Sequence, residues 1–390
     1  MPVLLYIVDD EPLITGMLGH FLEFVSKDWN VKCFEKPLLA LESAKTEKPN
    51  VVISDFRMPQ MTGTELLEGI RQIMPECIRI LISGYVNPNA IDNKLTSAHQ
   101  YLAKPFSMPD INAKVHKALN AVQNFKNLEI RREVLSLRTL PALPQSYYEL
   151  LTALEDVNVS YSKVESILNK DTAIVAKVLQ LANSPLFGGH DLSPVTDLMQ
   201  CISILGTERL KGIVLSHQVF KSYTNIPDCF MPQCLVQHRF DTANFAYAFA
   251  EEMDLSEDQA RDAYVAGLLH DLGRLVLIDN FDKDHEILRN RAKAENRSLS
   301  ELEMEKFNLT QADIIGFLLG LWGMRERISS ALTFQEHPWD APSPDFQRTA
   351  AAVYLAHYKA HQTRHFSQFK QPELNKDYLQ KNNWGDLLKA

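Results

Sequence analysis

At 390 residues the chain is too long for one ordinary hydrophobic core, and typical domain sizes make two domains the first expectation. A composition 45% hydrophobic and 23% charged, with 15 Gly and 19 Pro, excludes a disordered or low-complexity chain. A formal net charge of -9 argues against wholesale attraction to nucleic acid or to an anionic membrane.

The sequence opens on an apolar run, Val3 to Val8, and then meets Asp9 and Asp10, which is not the basic start of a signal peptide. No uninterrupted apolar stretch has the length of a bilayer span, so a cytoplasmic location is expected. The five cysteines, an odd number, read as core fillers rather than disulfides, and Cys229 and Cys234 lack the paired spacing of a zinc site.

From residue 1 to about 106, short apolar runs alternate with helix-like stretches, the pattern of a parallel sheet covered by helices. The predicted strands are VLLYIVD, VKCFE, VVISDF, IRILISG and QYLAK. The first, third and fourth are apolar almost throughout, as strands buried on both faces must be. Such a sheet binds ligands at the carboxyl ends of its strands.

Those ends carry chemistry. Asp9 and Asp10 close the first strand and Asp55 the third, so a doubly wound sheet gathers three carboxylates that demand a counter-ion. A hard divalent cation such as Mg²⁺ meets that need with oxygen ligands and neutralises an incoming phosphoryl group, leaving Asp55 as the nucleophile. Lys104 ends the fifth strand and Ser83 the fourth, supplying an ammonium and a hydroxyl to the same place. Any one of these features is ordinary by itself, an acidic pair at a strand end being more often a turn or cap; their succession is not.

The segments IVDDEP, VVISDFRMPQMTG, ILISG and YLAKPF resemble, in order and spacing, the receiver domains of two-component response regulators, over residues 3 to about 120. The resemblance implies a flavodoxin-like, five-stranded doubly wound domain over 1–120 in which Asp55 accepts a phosphoryl group from a sensor histidine kinase. It further implies that Asp9, Asp10, Asp55 and the backbone carbonyl of Arg57 hold Mg²⁺, and that Ser83 and Lys104 bind the phosphoryl oxygens. Tyr101 falls at the family's aromatic switch position; its bland reading is a half-buried strand tyrosine. Output is expected through the fourth helix, fifth strand and fifth helix.

Ser107 is a predicted N-cap, with Pro109 in the first turn of a helix whose apolar stripe runs Ile111, Val115, Ala118, Val122, Phe125. Residues 121–139 form a helical connector, either a coiled coil between two copies, which would make a homodimer, or a helix packed on its own domain. Pro141 and Pro144 end it. From Tyr147 to about His365 the periodicity is helical and an all-α output domain is expected over 140–365, followed by a loosely attached tail, 366–390.

Within that half, TLPALP, LQLANSPLFGG, PVTDLMQCISILGTERLKGIVL and AYVAGLLHDLGRLVL resemble the HDOD family, a relative of the HD-type metal-dependent phosphohydrolases. The resemblance places His238 at the first metal-ligand position, His270 and Asp271 at the central pair, and His357 where an aspartate is usual. Adjacent His270 and Asp271 can share a metal only from a helix end or a broad site. Arg274 replaces the lysine of the cyclic-dinucleotide phosphodiesterase branch, HD-GYP; Gln311, Gln335 and Glu336 stand where its further histidines fall, His337 is one place off, and the GYP signature is absent. A site short of donors binds metal weakly, so the expectation is a vestigial site, a hydrogen-bonded polar cluster, with an iron or manganese ion as the alternative.

The function expected is that of a response regulator whose HDOD domain, without catalysis of its own, regulates a protein partner such as a cyclic-di-GMP phosphodiesterase or cyclase. The alternative is a receiver-controlled, metal-dependent phosphodiesterase or phosphohydrolase. No basic recognition helix follows the receiver, so neither DNA nor membrane is an expected partner.

Overall fold

The computed structural model describes residues 3–83, 98–124, 134–135, 149–150, 153–154, 161–169, 171–182, 197–222, 232–322, 324–363, 370, 373–385 and 387–388. The chain divides into two compact units, residues 1–143 with 320–323, and residues 144–319 with 324–390.

The first unit is built on five parallel strands, β1 (Val3–Val8), β2 (Trp29–Phe34), β3 (Val51–Asp55), β4 (Ile78–Ser83) and β5 (Gln100–Ala103), in the order β2-β1-β3-β4-β5. This is the doubly wound, flavodoxin-like arrangement expected from the alternating pattern. Helices on both faces require continuous apolar strands. Accordingly Leu5 to Val8 of β1 and Val51 to Ile53 of β3 are at most 1% exposed. The strand order reverses between β1 and β3, which opens a crevice beyond their carboxyl ends.

Four described helices cover the sheet: α1 (Pro12–Val25), α2 (Pro37–Glu47), α3 (Gly63–Ile73) and α4 (Met108–Asn124). Each has a local start signal. Proline begins α1 and α2, where its fixed φ suits the first turn. A capping box begins α3, the Thr62 hydroxyl accepting from the Glu65 N–H while the Glu65 carboxylate accepts from the Thr62 N–H. Ser107 caps α4 as expected, its N–H donating to Asp110 Oδ2 at 2.8 Å and its hydroxyl accepting from the Asp110 N–H at 3.3 Å.

The α4 stripe is used inside its own unit. Ile111, Val115 and Ala118 are fully buried and the helix packs on α1. Of the expected connector, residues 121–124 and 134–135 are helical, and its remainder lies outside the described residues, as do Phe125 and the fourth helix of the output face. Cys77 and Cys201 are buried, in line with the core-filler reading. Cys33 corrects it: the residue is exposed, because β2 is an edge strand, and its thiol sits 3.2 Å from the Thr15 carbonyl. Cys229 and the side chain of Cys234 lie outside the described residues.

The long elements of the second unit are all helices: α5 (Tyr161–Leu168), α6 (Thr172–Ala182), α7 (Leu198–Leu205), α8 (Thr207–Ser222), α9 (Pro232–Glu252), α10 (Glu257–Leu269), α11 (Leu272–Glu295), α12 (Leu299–Phe307), α13 (Gln311–Leu321), α14 (Glu326–Thr333), α15 (Pro344–Thr363) and α16 (Lys376–Lys381), with no strand among the described residues. Helices α9, α10 and α15 pack against one another at its centre. Small side chains permit the approach. Ala350, Ala351, Ala352, Ala356 and Ala360 of α15 are fully buried, and a Cβ on Gly267 of α10 would stand 2.8 Å from Ala243 Cα and 2.9 Å from the Thr242 carbonyl on α9. The fully buried Asp262 of α10 accepts from Arg327 at 2.7 Å and Arg325 at 3.2 Å, so the charge that burial would otherwise penalise is paired twice.

The C-terminal stretch corrects the expectation of a loosely attached tail. Leu379 of α16 is 5% exposed, the Tyr378 ring lies 5.2 Å from Trp339, and the Asn375 N–H donates to the Tyr354 hydroxyl. Aromatic rings bury large areas, and this cluster docks a sequence whose polar composition disguised it. No helix among the described residues is long and apolar enough to cross a membrane.

Candidate functional site

Two polar pockets are built into the fold, one in each unit. In the first, β1 and β3 pair with Val8 opposite Ser54, so the next residues, Asp9 and Asp55, stand at the same level of the sheet. The Lys104 ammonium lies 2.6 Å from Asp55 Oδ1 and 3.1 Å from Asp9 Oδ2. The second oxygen of each carboxylate is held by main chain, Asp55 Oδ2 accepting from the Arg57 N–H at 2.6 Å and Asp9 Oδ1 from the Glu11 N–H at 3.0 Å. Asp9 is 2% and Asp55 8% exposed, whereas Asp10 faces solvent. A Cβ on Gly63 would stand 2.0 Å from the Asp55 carbonyl oxygen, so the loop after β3 folds back only because α3 begins with glycine.

Partial burial works against the Lys104 ammonium, but the hydrogen bonds and charges of Asp55 and Asp9 more than offset it and raise its pKa above the ordinary lysine value. One ammonium does not balance Asp9, Asp10 and Asp55, and the excess negative charge with oxygen-only donors suits a hard divalent cation. Ser83 and Ala103 pair across β4 and β5, putting Ser83 level with the residue before Lys104. The side chains of Ser83 and Tyr101 lie outside the described residues.

The second pocket is made of imidazoles. His238 comes from α9, His270 and Asp271 from the junction of α10 and α11, and His357 and His361 from one face of α15, four residues apart. His270 and Asp271 do occupy a helix end, the condition their adjacency set. His238 and His270 are fully buried, Asp271 is 2% exposed and His357 7%. Ring centroids separate by 5.1 Å for His238 and His270, 4.9 Å for His270 and His357, and 4.7 Å for His238 and His361. One nitrogen from each of His238, His270 and His357 lies within 4.8 Å of the others.

Hydrogen bonding fixes the proton on one ring. His270 Nδ1 lies 2.7 Å from the Gly267 carbonyl, which can only accept, so Nδ1 carries a proton and a neutral ring turns its Nε2 lone pair inward. That Nε2 lies 3.0 Å from Asp271 Oδ2, and His238 Nε2 lies 3.7 Å from the same oxygen. Asp271 Oδ1 is occupied by Arg274 Nη1 at 3.1 Å. Burial, with the neighbouring imidazoles, drives the pKa of His238 and His357 well below the ordinary histidine value, and that of His361 down to about 2. Asp271 is held well below the carboxylate range: burial opposes this, but His270, Arg274 and His238 outweigh it. Neutral imidazoles beside an ionised carboxylate are the ligand forms of these groups, so the donor set fits a transition metal ion.

The polar positions downstream of the cluster have surroundings of their own. Gln335 donates to the His270 carbonyl at 3.3 Å, neither side-chain atom of buried Gln311 makes a hydrogen bond, Glu336 accepts from the Ser300 hydroxyl at 2.6 Å, and His337 is exposed. Three functional-looking residues went unread in the sequence: His361, and the buried pair His285 and Glu303, 3.3 Å apart. The His357/His361 spacing was a readable signal. His285 and Glu303 are separated by a helix junction and carry none.

A family model for the response regulator receiver domain matches residues 5–116, and a model for the HDOD domain matches 140–338. The chain is similar to an uncharacterized protein of Treponema pallidum, 24% identical over 227 residues, 56% of this chain and 43% of that protein. It is also similar to the alkaline phosphatase synthesis transcriptional regulatory protein PhoP of Bacillus subtilis, 27% identical over 153 residues, 37% of this chain and 62% of that protein. The match thus spans less than two thirds of either relative. Among solved structures, an HDOD domain protein of unknown function from Geobacter sulfurreducens shares the fold, with a TM-score of 0.50 at 21% identity, covering 68% of this chain and 85% of that one. The sheet order, the strand-end carboxylates and the helical second unit agree with both family matches. With the larger match covering more than half its length, the chain belongs to the HDOD family, its HDOD domain preceded by a response regulator receiver domain.

Proposed function

We propose that a sensor histidine kinase phosphorylates Asp55 and that the phosphorylated receiver controls a non-catalytic HDOD domain, which binds or releases a protein partner. The observation that supports this reading most is the Lys104 ammonium shared between Asp55 and Asp9, a cation already poised over the acceptor carboxylate. In this reading Asp9, Asp10, Asp55 and the Arg57 carbonyl hold Mg²⁺, Ser83 and Lys104 bind the phosphoryl oxygens, and Tyr101 responds to the occupied site. Phosphorylation adds nearly two negative charges, enough to redistribute a receiver between two arrangements. The partner class proposed is an enzyme of cyclic-di-GMP synthesis or breakdown, with no DNA and no membrane partner. The test is phosphoryl uptake from acetyl phosphate in Mg²⁺, followed by binding to purified cyclic-di-GMP cyclases and phosphodiesterases of the same cell. Uptake lost in Asp55→Asn and binding that differs between the two phosphorylation states support it; identical binding in both states overturns it.

The convergence of three buried imidazoles favours one second reading, a metal-dependent phosphodiesterase acting through His238, His270, Asp271 and His357. Turnover of cyclic-di-GMP with Mn²⁺ or Fe²⁺ that disappears in His270→Ala would establish it in place of the first.

A further inference from the structure

The C-terminal stretch of the second unit does more than dock. Between α15 and the residues in and around α16 lies a cavity of about 650 Å³, within the roughly 300–1,000 Å³ range of small-molecule sites. Its walls are largely carbon: Leu379 is 5% exposed, and Leu374, Leu388 and the Tyr358 side chain of α15 are half-buried. Walls of this kind favour an apolar chain over water.

The frame around the cavity is tied at both ends. The Tyr354 hydroxyl, one turn before Tyr358 on α15, accepts from the Asn375 N–H at 2.8 Å and donates to the Glu373 carbonyl at 3.4 Å. At the other end the Lys359 ammonium donates to the Leu388 carbonyl at 3.4 Å. Main chain is thus fastened to α15 on either side of the gap, so the gap belongs to the fold.

The polar groups on the wall decide what such a chain must carry. Glu373 is engaged outside, its carboxylate 3.3 Å from Lys370 Nζ and its side chain 85% exposed. Lys376, Gln380 and the Tyr358 hydroxyl also line the cavity, and none has a hydrogen-bond or ion-pair partner among the described residues. An ammonium, an amide and a phenol can each donate. One cation with two neutral donors on the same wall matches a single negative group; it does not balance the several charges of a nucleotide, and it offers a metal ion no set of anionic oxygens.

We propose that this cavity binds a free medium-chain monocarboxylate, with its carboxylate on Lys376, Gln380 and Tyr358 and its chain against Leu374, Leu379 and Leu388. The site is independent of the phosphorylation reading and of the imidazole pocket, and it stands if either of those fails. Occupancy braces α16 against α15, the helix that carries His357 one residue before Tyr358.

The experiment is equilibrium dialysis of the full-length chain against radiolabelled decanoate, with acetate as a competitor that has the charge without the chain and 1-decanol as one that has the chain without the charge. The expected result is one saturable equivalent per chain, displaced by unlabelled decanoate but by neither competitor at the same concentration. Lys376→Met should weaken it about 10- to 100-fold, the loss that follows from removing a hydrogen bond to a charged group. Lys376 is exposed, so the variant is expected to fold, and circular dichroism checks that it does. Should it not fold, the comparison of decanoate with decanol on the wild-type chain decides. Absence of saturable binding, displacement by decanol as effective as by decanoate, or unchanged affinity in folded Lys376→Met would each overturn the proposal. So would sedimentation with phosphatidylglycerol vesicles that decanoate fails to reverse, which would make the surface a membrane contact instead.

Discussion

The two pockets solve the same electrostatic problem in opposite media. In the receiver, carboxylates gather at the ends of adjacent strands, a lysine lies between two of them, and Asp10 remains in water. In the HDOD domain the Asp271 carboxylate is 2% exposed and faces His270 and His238, burial holds the His238 pKa well below the ordinary histidine value, and Arg274 donates to the other carboxylate oxygen. The receiver arrangement suits a charge that is added and removed, because solvent reaches Asp10 and the Lys104 ammonium already stands between the two buried carboxylates. The imidazole arrangement suits a charge that stays, because nothing nearby can replace it cheaply.

The comparison can be broken most directly at Asp55, the proposed phosphoryl acceptor. Asp55→Asn should abolish phosphoryl uptake from acetyl phosphate altogether while leaving chemical unfolding of the HDOD domain unchanged, as read by phosphate-affinity electrophoresis and denaturant titration. Retained uptake would move the acceptor elsewhere. Next in size, Asp271→Ala removes the buried carboxylate that accepts from Arg274 and should cost about 3–5 kcal/mol of stability, the effect of removing one member of a buried pair. A loss under about 1 kcal/mol, within the range of an ordinary substitution, would show that solvent reaches the pocket.

A third test concerns Glu336, whose carboxyl is pushed up to about 7 by burial, with Glu303 adding to the shift and the Ser300 hydroxyl and Arg274 opposing it. A raised carboxyl pKa means that the native state binds the proton more tightly than the unfolded chain. Its contribution is therefore present below the unfolded value near 4.5 and lost as pH rises towards 7. Glu336→Gln, which keeps the acceptor for Ser300, should be more stable than wild type at pH 8 by up to about 3 kcal/mol and indistinguishable from it at pH 4. Thermal unfolding of both proteins across that range measures the difference, and parallel curves would refute the raised pKa. The smallest effect belongs to Asp10: because its side chain is exposed, Asp10→Asn should change stability by no more than about 0.5 kcal/mol while weakening Mg²⁺ binding to the receiver, measured by titration calorimetry.

The receiver was the more legible half because each of its chemical residues terminates an apolar strand. Once the strands were read, the parallel topology brought Asp9, Asp55 and Lys104 together without further information. The helical half offers no such rule. Its site draws on residues 238, 270, 271, 357 and 361, and what joins them is helix packing, which leaves its record in small residues such as Gly267 and Ala356 rather than in a motif. His270 and Asp271 were visible as a pair, and they do stand at the helix end that their adjacency called for. The tail misled for a related reason: a few aromatic contacts around Tyr378 and Trp339 anchor a segment whose overall composition is polar.

The absent side chain at residue 267 has one more consequence. Helices α9 and α10 touch there through main-chain atoms, one turn beyond His238 and one turn before His270, and the Gly267 carbonyl is also the oxygen that orients the His270 ring. Main chain in a packed helix cannot swing aside as a rotamer can, so the bore of the histidine cage is gauged by backbone. The distance between His238 and His270 is thus written into the contact of two helix backbones.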